Sequence, residues 1–307
     1  MKNNGKKNPG KLNLTKAKQA TQLVENIFSS LSLPSNGQAT DMRVAIFFTV
    51  ACEGNLRFWQ DSKKWLVYDG KRWNANAPGG PFPLFKQVVA FLYKEASHIT
   101  EDEKRIKAIS QLTKLENHRR QKTVIEAAAV IPDAIVATTE LDQNPLLFNC
   151  SNGTLNLKTG ALQPHNPKDF ITKLVDIDYD MNAQCPKFLR FLDRIMGGNV
   201  ALIEYIQRYF GYCLTGDTSE QIFVFLYGTG KNGKSILANV IEKLLGEYAS
   251  TAGSSLLMRR ENSSATNDIA ALRDKRLVKV SEFDDGERLA EATVKSLTGE
   301  DRISCRY

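Results

Sequence analysis

The chain has 307 residues, 42% of them hydrophobic and 24% charged, and a formal net charge of +7. That balance supports a sizeable buried core and excludes a wholly disordered chain, a collagen-like repeat and a disulfide-held miniprotein. The length suggests about two domains, no run of about 18 apolar residues marks a membrane span, and the Lys- and Asn-rich start lacks the apolar stretch of a secretory signal.

The positive charge is concentrated at the start. Lys2, Lys6, Lys7, Lys11, Lys16 and Lys18 all precede the first acid, Glu25. Residues 1–40 therefore read as a basic flexible tail with a weakly helical stretch over 21–33 that stops before Pro34. Such a tail either attracts nucleic acid by counterion release or is a solvated leader. The cysteines Cys52, Cys150, Cys185, Cys213 and Cys305 are scattered, odd in number and without a CxxC pair. This usage points to reduced thiols, a cytoplasmic location and no zinc site.

A helix pattern runs through 42–48. The aromatic-rich runs Leu56–Trp59, Trp65–Tyr68 and Lys71–Trp73 flank Asp69-Gly70, a strong hairpin signal, and predict a β-meander over 56–74. Trp59, Trp65 and Trp73 either stack on bases or cover a small sheet core, the simpler expectation. Residues 83–128 read as helices in which Lys104, Arg105, Lys107, Lys114, Arg119, Arg120 and Lys122 outnumber the acids. They form either a basic face or a solvated surface. Asn152-Gly153, between short strand-like runs, predicts a hairpin over 146–157. Turn-rich punctuation at 164–167 and 182–186 places a domain boundary near 185. Two helices with apolar faces come after it, through Phe188–Met196 and Leu202–Leu214.

The chemistry-bearing segment comes next. Ile222–Tyr227 is a continuous apolar run that fits a strand buried on both faces of a parallel sheet. It leads into Gly228-Thr229-Gly230-Lys231-Asn232-Gly233-Lys234-Ser235, which matches G-x-x-x-x-G-K-[ST]. A helix pattern over 234–245 and a capping Gly246 come after the loop. Glycines let backbone curl around phosphates without Cβ clashes, and consecutive N–H groups then form an anion nest at a helix N-terminus. Lys234 reaches the β- and γ-phosphates, and the Ser235 hydroxyl can ligate Mg2+. Such a cradle needs an acidic partner. Arg276–Glu282 reads as a strand ending in an acid, so Glu282 is the candidate for polarising the attacking water, with Asp284 and Asp285 as alternates. A helix through Leu289–Leu297 breaks at Thr298-Gly299. Lys295, Arg302 and Arg306 lie on or after it.

GTGKNGKS, KRLVKVSEFDDGERL, KSLTGEDRISCRY, FNCSNGTLNLKTGALQPHNP, YFGYCLTGDTSEQIF and WLVYDGKRW resemble, in order and spacing, the superfamily-three helicases, in particular the phage/plasmid primase-helicase group. The resemblance covers roughly residues 55–307. It implies an α/β fold in which residues 41–185 form a smaller α+β domain and residues 186–307 the front part of an AAA+-like P-loop ATPase with an incomplete parallel sheet. It implies that the sequence stops at Tyr307, ahead of the sensor and arginine-finger motifs. It also implies ATP and Mg2+ at Gly228–Ser235, Glu282 as catalytic acid and metal-site residue, and Lys295, Arg302 and Arg306 near DNA.

The expected activity is an ATP-dependent DNA helicase, or its N-terminal portion, acting on single-stranded or forked DNA in replication of a phage, plasmid or other mobile element. By analogy it works as a homo-oligomeric ring, a hexamer. The alternative is a truncated nucleotide- or DNA-binding module without turnover. A small-molecule kinase is a weaker reading still, because no lid or acceptor pocket is visible in the sequence.

Overall fold

The computed structural model describes residues 41–258, 269–280 and 288–299. Among the described residues the fold is mixed α/β, with three small sheets and two compact units. The first unit takes the described chain up to 143 together with 166–172. The second takes 144–165 and the described residues from 173 onward.

In the first unit, α1 (Asp41–Ala51), α2 (Phe82–Ser97), α3 (Asp102–Lys114) and α4 (His118–Ala128) surround an apolar core. On α2, Leu84, Phe85, Val88, Val89, Phe91, Leu92 and Ala96 are buried, the spacing that gives a helix one apolar stripe. Phe47 and Phe48 of α1 meet Phe91 and Phe85, at ring separations of 6.4 and 5.3 Å. Fully burying side chains of this size stabilises by roughly 1.5–3 kcal/mol each. Asn117 caps α4 by accepting from the Arg119 and Arg120 N–H groups. Asp41 pairs with Arg120 at 2.9 Å, tying the start of α1 to α4.

The expected meander forms β1 (Leu56–Trp59), β2 (Lys64–Tyr68) and β3 (Trp73–Asn74). A short β4 (Ile135–Val136) adds parallel to β1, giving the order β3-β2-β1-β4. At the Asp69-Gly70 turn, Asp69 Oδ1 accepts from the Lys71 and Arg72 N–H groups at 3.0 Å, and Gly70 has φ 95°. An Asx turn followed by a left-handed residue suits Asp-Gly. The segment 166–172 closes this unit. The Trp73 backbone N–H donates to Ile171 O at 2.8 Å and its indole Nε1 to Pro167 O at 2.8 Å, while its ring stacks on Phe170.

In the second unit, β5 (Leu147–Cys150), β6 (Gly153–Asn156) and β7 (Ala161–Gln163) form an antiparallel sheet. The predicted hairpin is present, with Ser151-Asn152 as its loop and Gly153 paired to Cys150 as the first residue of β6. Asn152 clamps residue 179 from both ends of its amide, donating to Tyr179 O and accepting from Tyr179 N, each at 2.9 Å. Next come helices α5 (Pro186–Ile195), α6 (Val200–Tyr212) and α7 (Lys234–Leu245). A two-stranded parallel sheet of β8 (Ala249–Ala252) and β9 (Leu277–Val280) precedes α8 (Glu291–Thr298). Phe148, Leu155, Val175, Leu192, Ile206, Leu237, Ile241, Leu245 and Tyr248 share one core.

The division between the two units falls at 143/144 with a return over 166–172. At the 182–186 punctuation the Asp180 carboxylate accepts from Asn182 N in a local turn. One expectation differs from what is observed. The apolar run 222–227 is not a buried strand. It is irregular, with Ile222, Phe223, Phe225, Leu226 and Tyr227 exposed, Tyr227 by 91%. Among the described residues no strand pairs with it, and a strand is buried on both faces only when neighbours and covering helices exist. The predicted weak helix over 21–33 lies outside the described residues.

Candidate functional site

The segment 228–235 folds as a tight loop that ends on the first turn of α7. Gly228 has φ 142°, Lys231 φ 61° and Gly233 φ 89°, all left-handed or mirror-region values. Glycine adopts these freely, which explains two of the three positions. Gly233 caps α7, and Leu237 N donates to Gly233 O at 3.0 Å as the first helical bond. A Cβ at Gly233 would lie 2.7 Å from Ile195 Cγ2 and 3.2 Å from Phe191 Cε2. The apolar face of α5, which carries no chemistry of its own, therefore braces the base of the loop.

The lysine turns back into the loop. Lys234 Nζ donates to Gly228 O at 2.8 Å, to Asn232 Oδ1 at 2.9 Å and to Thr229 O at 3.4 Å. A Cβ at Gly228 would sit 2.3 Å from Asn232 Nδ2 and 3.9 Å from the lysine ammonium. Residues Gly228 to Lys231 and Ser235 are exposed. An ammonium, exposed glycine backbone and the N-terminus of a 12-residue helix thus meet at one solvent-facing spot. This donor set is anion-seeking.

Behind the loop, α7 is tied to the small parallel sheet. Lys279 of β9 bonds Glu242 and, at 2.8 Å, Asn239 Oδ1, both on α7, and Thr251 of β8 donates to the same Glu242 carboxylate. The Lys279 hydrogen bond, then that of Thr251, holds the Glu242 carboxyl below its ordinary value. Arg276, just ahead of β9, donates to Leu147 O at 2.7 Å and to Leu214 O, and its guanidinium lies 4.3 Å from the Tyr248 ring centroid. One side chain thereby joins β5, the end of α6 and the turn after α7. Sequence reading took Arg276 only as the start of a strand, and no local pattern marks its joining role.

The strand leading to Glu282 exists as β9, but Glu282, with Asp284, Asp285, Arg302 and Arg306, lies outside the described residues. Lys295 is exposed on α8. Among the described residues no three His, Cys, Asp or Glu side chains converge to hold a metal ion. A divalent ion at the loop would rely on Ser235 and on a ligand's own phosphates, the usual manner for magnesium. The exposed serine and the glycine positions of the loop fit that manner of binding.

Trp73 is fully buried, so it covers core and does not stack on bases. Trp59 donates to Thr138 Oγ1, and Trp65 packs on Phe58. On α3 and α4, Lys104, Arg105 and Lys122 pair with Glu101, Asp102 and Glu126, a solvated charged face. Burial pushes the Cys150 thiol up to about 11, and raises Cys52 and Cys213 as well, so these three are neutral thiols and not nucleophiles.

Residues 45–197 match the family described as "D5 N terminal like". The chain is 29% identical over 203 residues to "Putative helicase L207/L206" of Acanthamoeba polyphaga mimivirus, covering 64% of this chain and 21% of that protein. It is 26% identical over 205 residues to "Putative helicase 121R" of Invertebrate iridescent virus 3, covering 64% of this chain and 22% of the relative. It therefore spans about a fifth of the length of these viral relatives. It is also 31% identical over 149 residues to the "Uncharacterized mitochondrial protein ymf21" of Marchantia polymorpha, covering 48% of this chain and 77% of that one.

Proposed function

This chain belongs to a helicase-associated, primase-helicase-like family that takes in the Marchantia protein and is related to the viral ones, and on that premise we propose that it is the nucleotide-binding part of an ATP-driven DNA helicase of the superfamily-three kind. The single observation that supports the reading most is Lys234 folded back among the carbonyls of a glycine loop at the start of α7. Few structures need an ammonium there. A triphosphate does, because the ammonium, the loop N–H groups and the helix N-terminus then act together on its β- and γ-oxygens.

In this reading Gly228–Ser235 wraps the phosphates of ATP. Lys234 exchanges loop carbonyls for phosphate oxygens. Ser235 orients its hydroxyl toward magnesium, which neutralises phosphate charge when bound. Glu282 is proposed as the acid that orients the attacking water. Lys295, Arg302 and Arg306 are proposed to meet the DNA backbone, each as a point contact that adds affinity without reading sequence. Assembly into a ring, and work in copying a phage, plasmid or other mobile element, complete the proposal. No described helix is long and apolar enough to cross a membrane.

The test is phosphate release from ATP with and without single-stranded DNA. Lys234→Ala is expected to abolish both ATP binding and DNA-stimulated turnover. Unchanged turnover in that variant rejects the reading. A second reading, a binding module without turnover, draws on the exposed run 222–227 just ahead of the loop, since a loop not anchored on a sheet is poorly preorganised for chemistry. Tight ATP binding with no phosphate release, in the presence of DNA, would favour it.

A further inference from the structure

We propose that Asn232 is a latch. It holds Lys234 inside the loop, and a phosphate-bearing nucleotide enters by displacing it. This rests on the nucleotide-binding reading above and adds to it a positioning residue and a barrier to entry.

Hydrogen-bond capacity is the first ground. A lysine ammonium has three donors and no acceptor. Here the three neighbours of Nζ are Gly228 O, Asn232 Oδ1 and Thr229 O. The donors a phosphate would use are therefore directed at the protein's own oxygens. Asn232 is the one side chain among them, so it is the one partner that can leave without unfolding the loop.

Its position makes it a closure as well as a partner. The left-handed residues Lys231 and Gly233 flank it on both sides. The segment doubles back, and the amide end of Asn232 presses on Gly228, where even a methyl group would collide with Nδ2. The same amide thus touches the first residue of the loop with its nitrogen and the loop's lysine with its oxygen.

The balance of hydrogen bonds favours exchange. Three neutral oxygens hold the ammonium less well than a phosphate does, because the phosphate carries a full opposite charge and adds Coulomb attraction to hydrogen bonds that the ammonium makes in either case. ATP therefore wins. Its apparent affinity is reduced by the fraction of loops that remain latched.

Two substitutions pull in opposite directions. Asn232 does not have a left-handed backbone, so alanine fits there without strain. Asn232→Ala removes the latch oxygen and is expected to tighten ATP binding about threefold to tenfold, the range of one modest hydrogen bond. Asn232→Asp sets a carboxylate against the ammonium and against incoming phosphate. It is expected to weaken binding by roughly tenfold or more, with partial recovery at high salt. The readout is titration of the whole chain with a fluorescent ATP analogue, alongside Lys234→Ala and a thermal melt of each variant.

If wild type binds, Lys234→Ala does not, and Asn232→Ala binds no tighter than wild type, the latch is wrong while the nucleotide reading stands. If wild type and both Asn232 variants bind no ATP, or all bind it regardless of Lys234, both fall. A purely structural Asn232 would shift both variants in the same direction and lower their melting temperatures together.

Discussion

At the residue scale, two glycines of one loop do different work, and substitution should separate them. Gly233 combines φ 89° with a Cβ position that is only 2.7 Å from Ile195. Gly233→Ala is expected to destabilise the second unit by roughly 1–3 kcal/mol, a strained backbone plus a displaced side chain. Gly230 has open space around its Cβ position and no left-handed φ. Gly230→Ala should leave stability within about 0.5 kcal/mol of wild type. Denaturant unfolding of both variants checks the pair, and equal losses would contradict the account. The loop itself was legible in the sequence, because spacing of glycines and lysine is a local pattern. The partners were not. Ile195 and Phe191 stand some forty residues away and read only as one more apolar helix face. Asn232 looks in sequence like a filler between two named positions. The three tryptophans were legible as sheet-forming residues, but which of them is buried depends on strands and a return segment that no window of sequence contains.

At the element scale, the join between α7 and the β8–β9 sheet carries a pH dependence. The Lys279 and Thr251 bonds lower the Glu242 carboxyl below its ordinary 4.5. A lowered acid contributes stability that is fully present above that ordinary value and is lost as pH falls through the lowered one. The wild-type chain is therefore expected to lose stability in that acid window faster than Glu242→Gln, whose curve should be flatter there. Unfolding midpoints from about pH 6 down to about pH 3 test it, and parallel curves would speak against the pair. Because the carboxylate is only partly buried, the effect should be small and shrink with salt. Arg276 is the stronger join. Arg276→Ala removes donors from Leu147 O and Leu214 O and a cation from the Tyr248 face, for an expected loss of roughly 2–4 kcal/mol. Arg276→Lys should recover little of it, since an ammonium lacks the planar fork. The helices and hairpins were readable because their periods are local. The run 222–227 was misjudged because an apolar composition states what a strand needs, not whether a neighbour is there to supply it.

At the scale of the whole molecule, the two units have separate cores, and all three tryptophans, Trp59, Trp65 and Trp73, belong to the first. Tryptophan fluorescence should therefore track unfolding of the first unit alone, while far-ultraviolet circular dichroism tracks both. Arg276→Ala is expected to move a dichroism transition and leave the fluorescence midpoint in place. A shift of both by the same amount would mean the units unfold as one. The path of the chain between them was hidden from sequence reading, because 166–172 carries no more than a turn signal and is placed by Trp73, Phe170 and the carbonyls of Pro167 and Ile171. That return has a consequence during synthesis. A nascent chain emerging from the ribosome has made the four described α-helices of the first unit by residue 128, yet the edge at Trp73 stays unsealed until residue 172 has cleared the exit tunnel. By then the β5–β7 hairpins, which belong to the other unit, have emerged as well. Translation speed across that stretch thus sets how long an open aromatic edge is offered to chaperones.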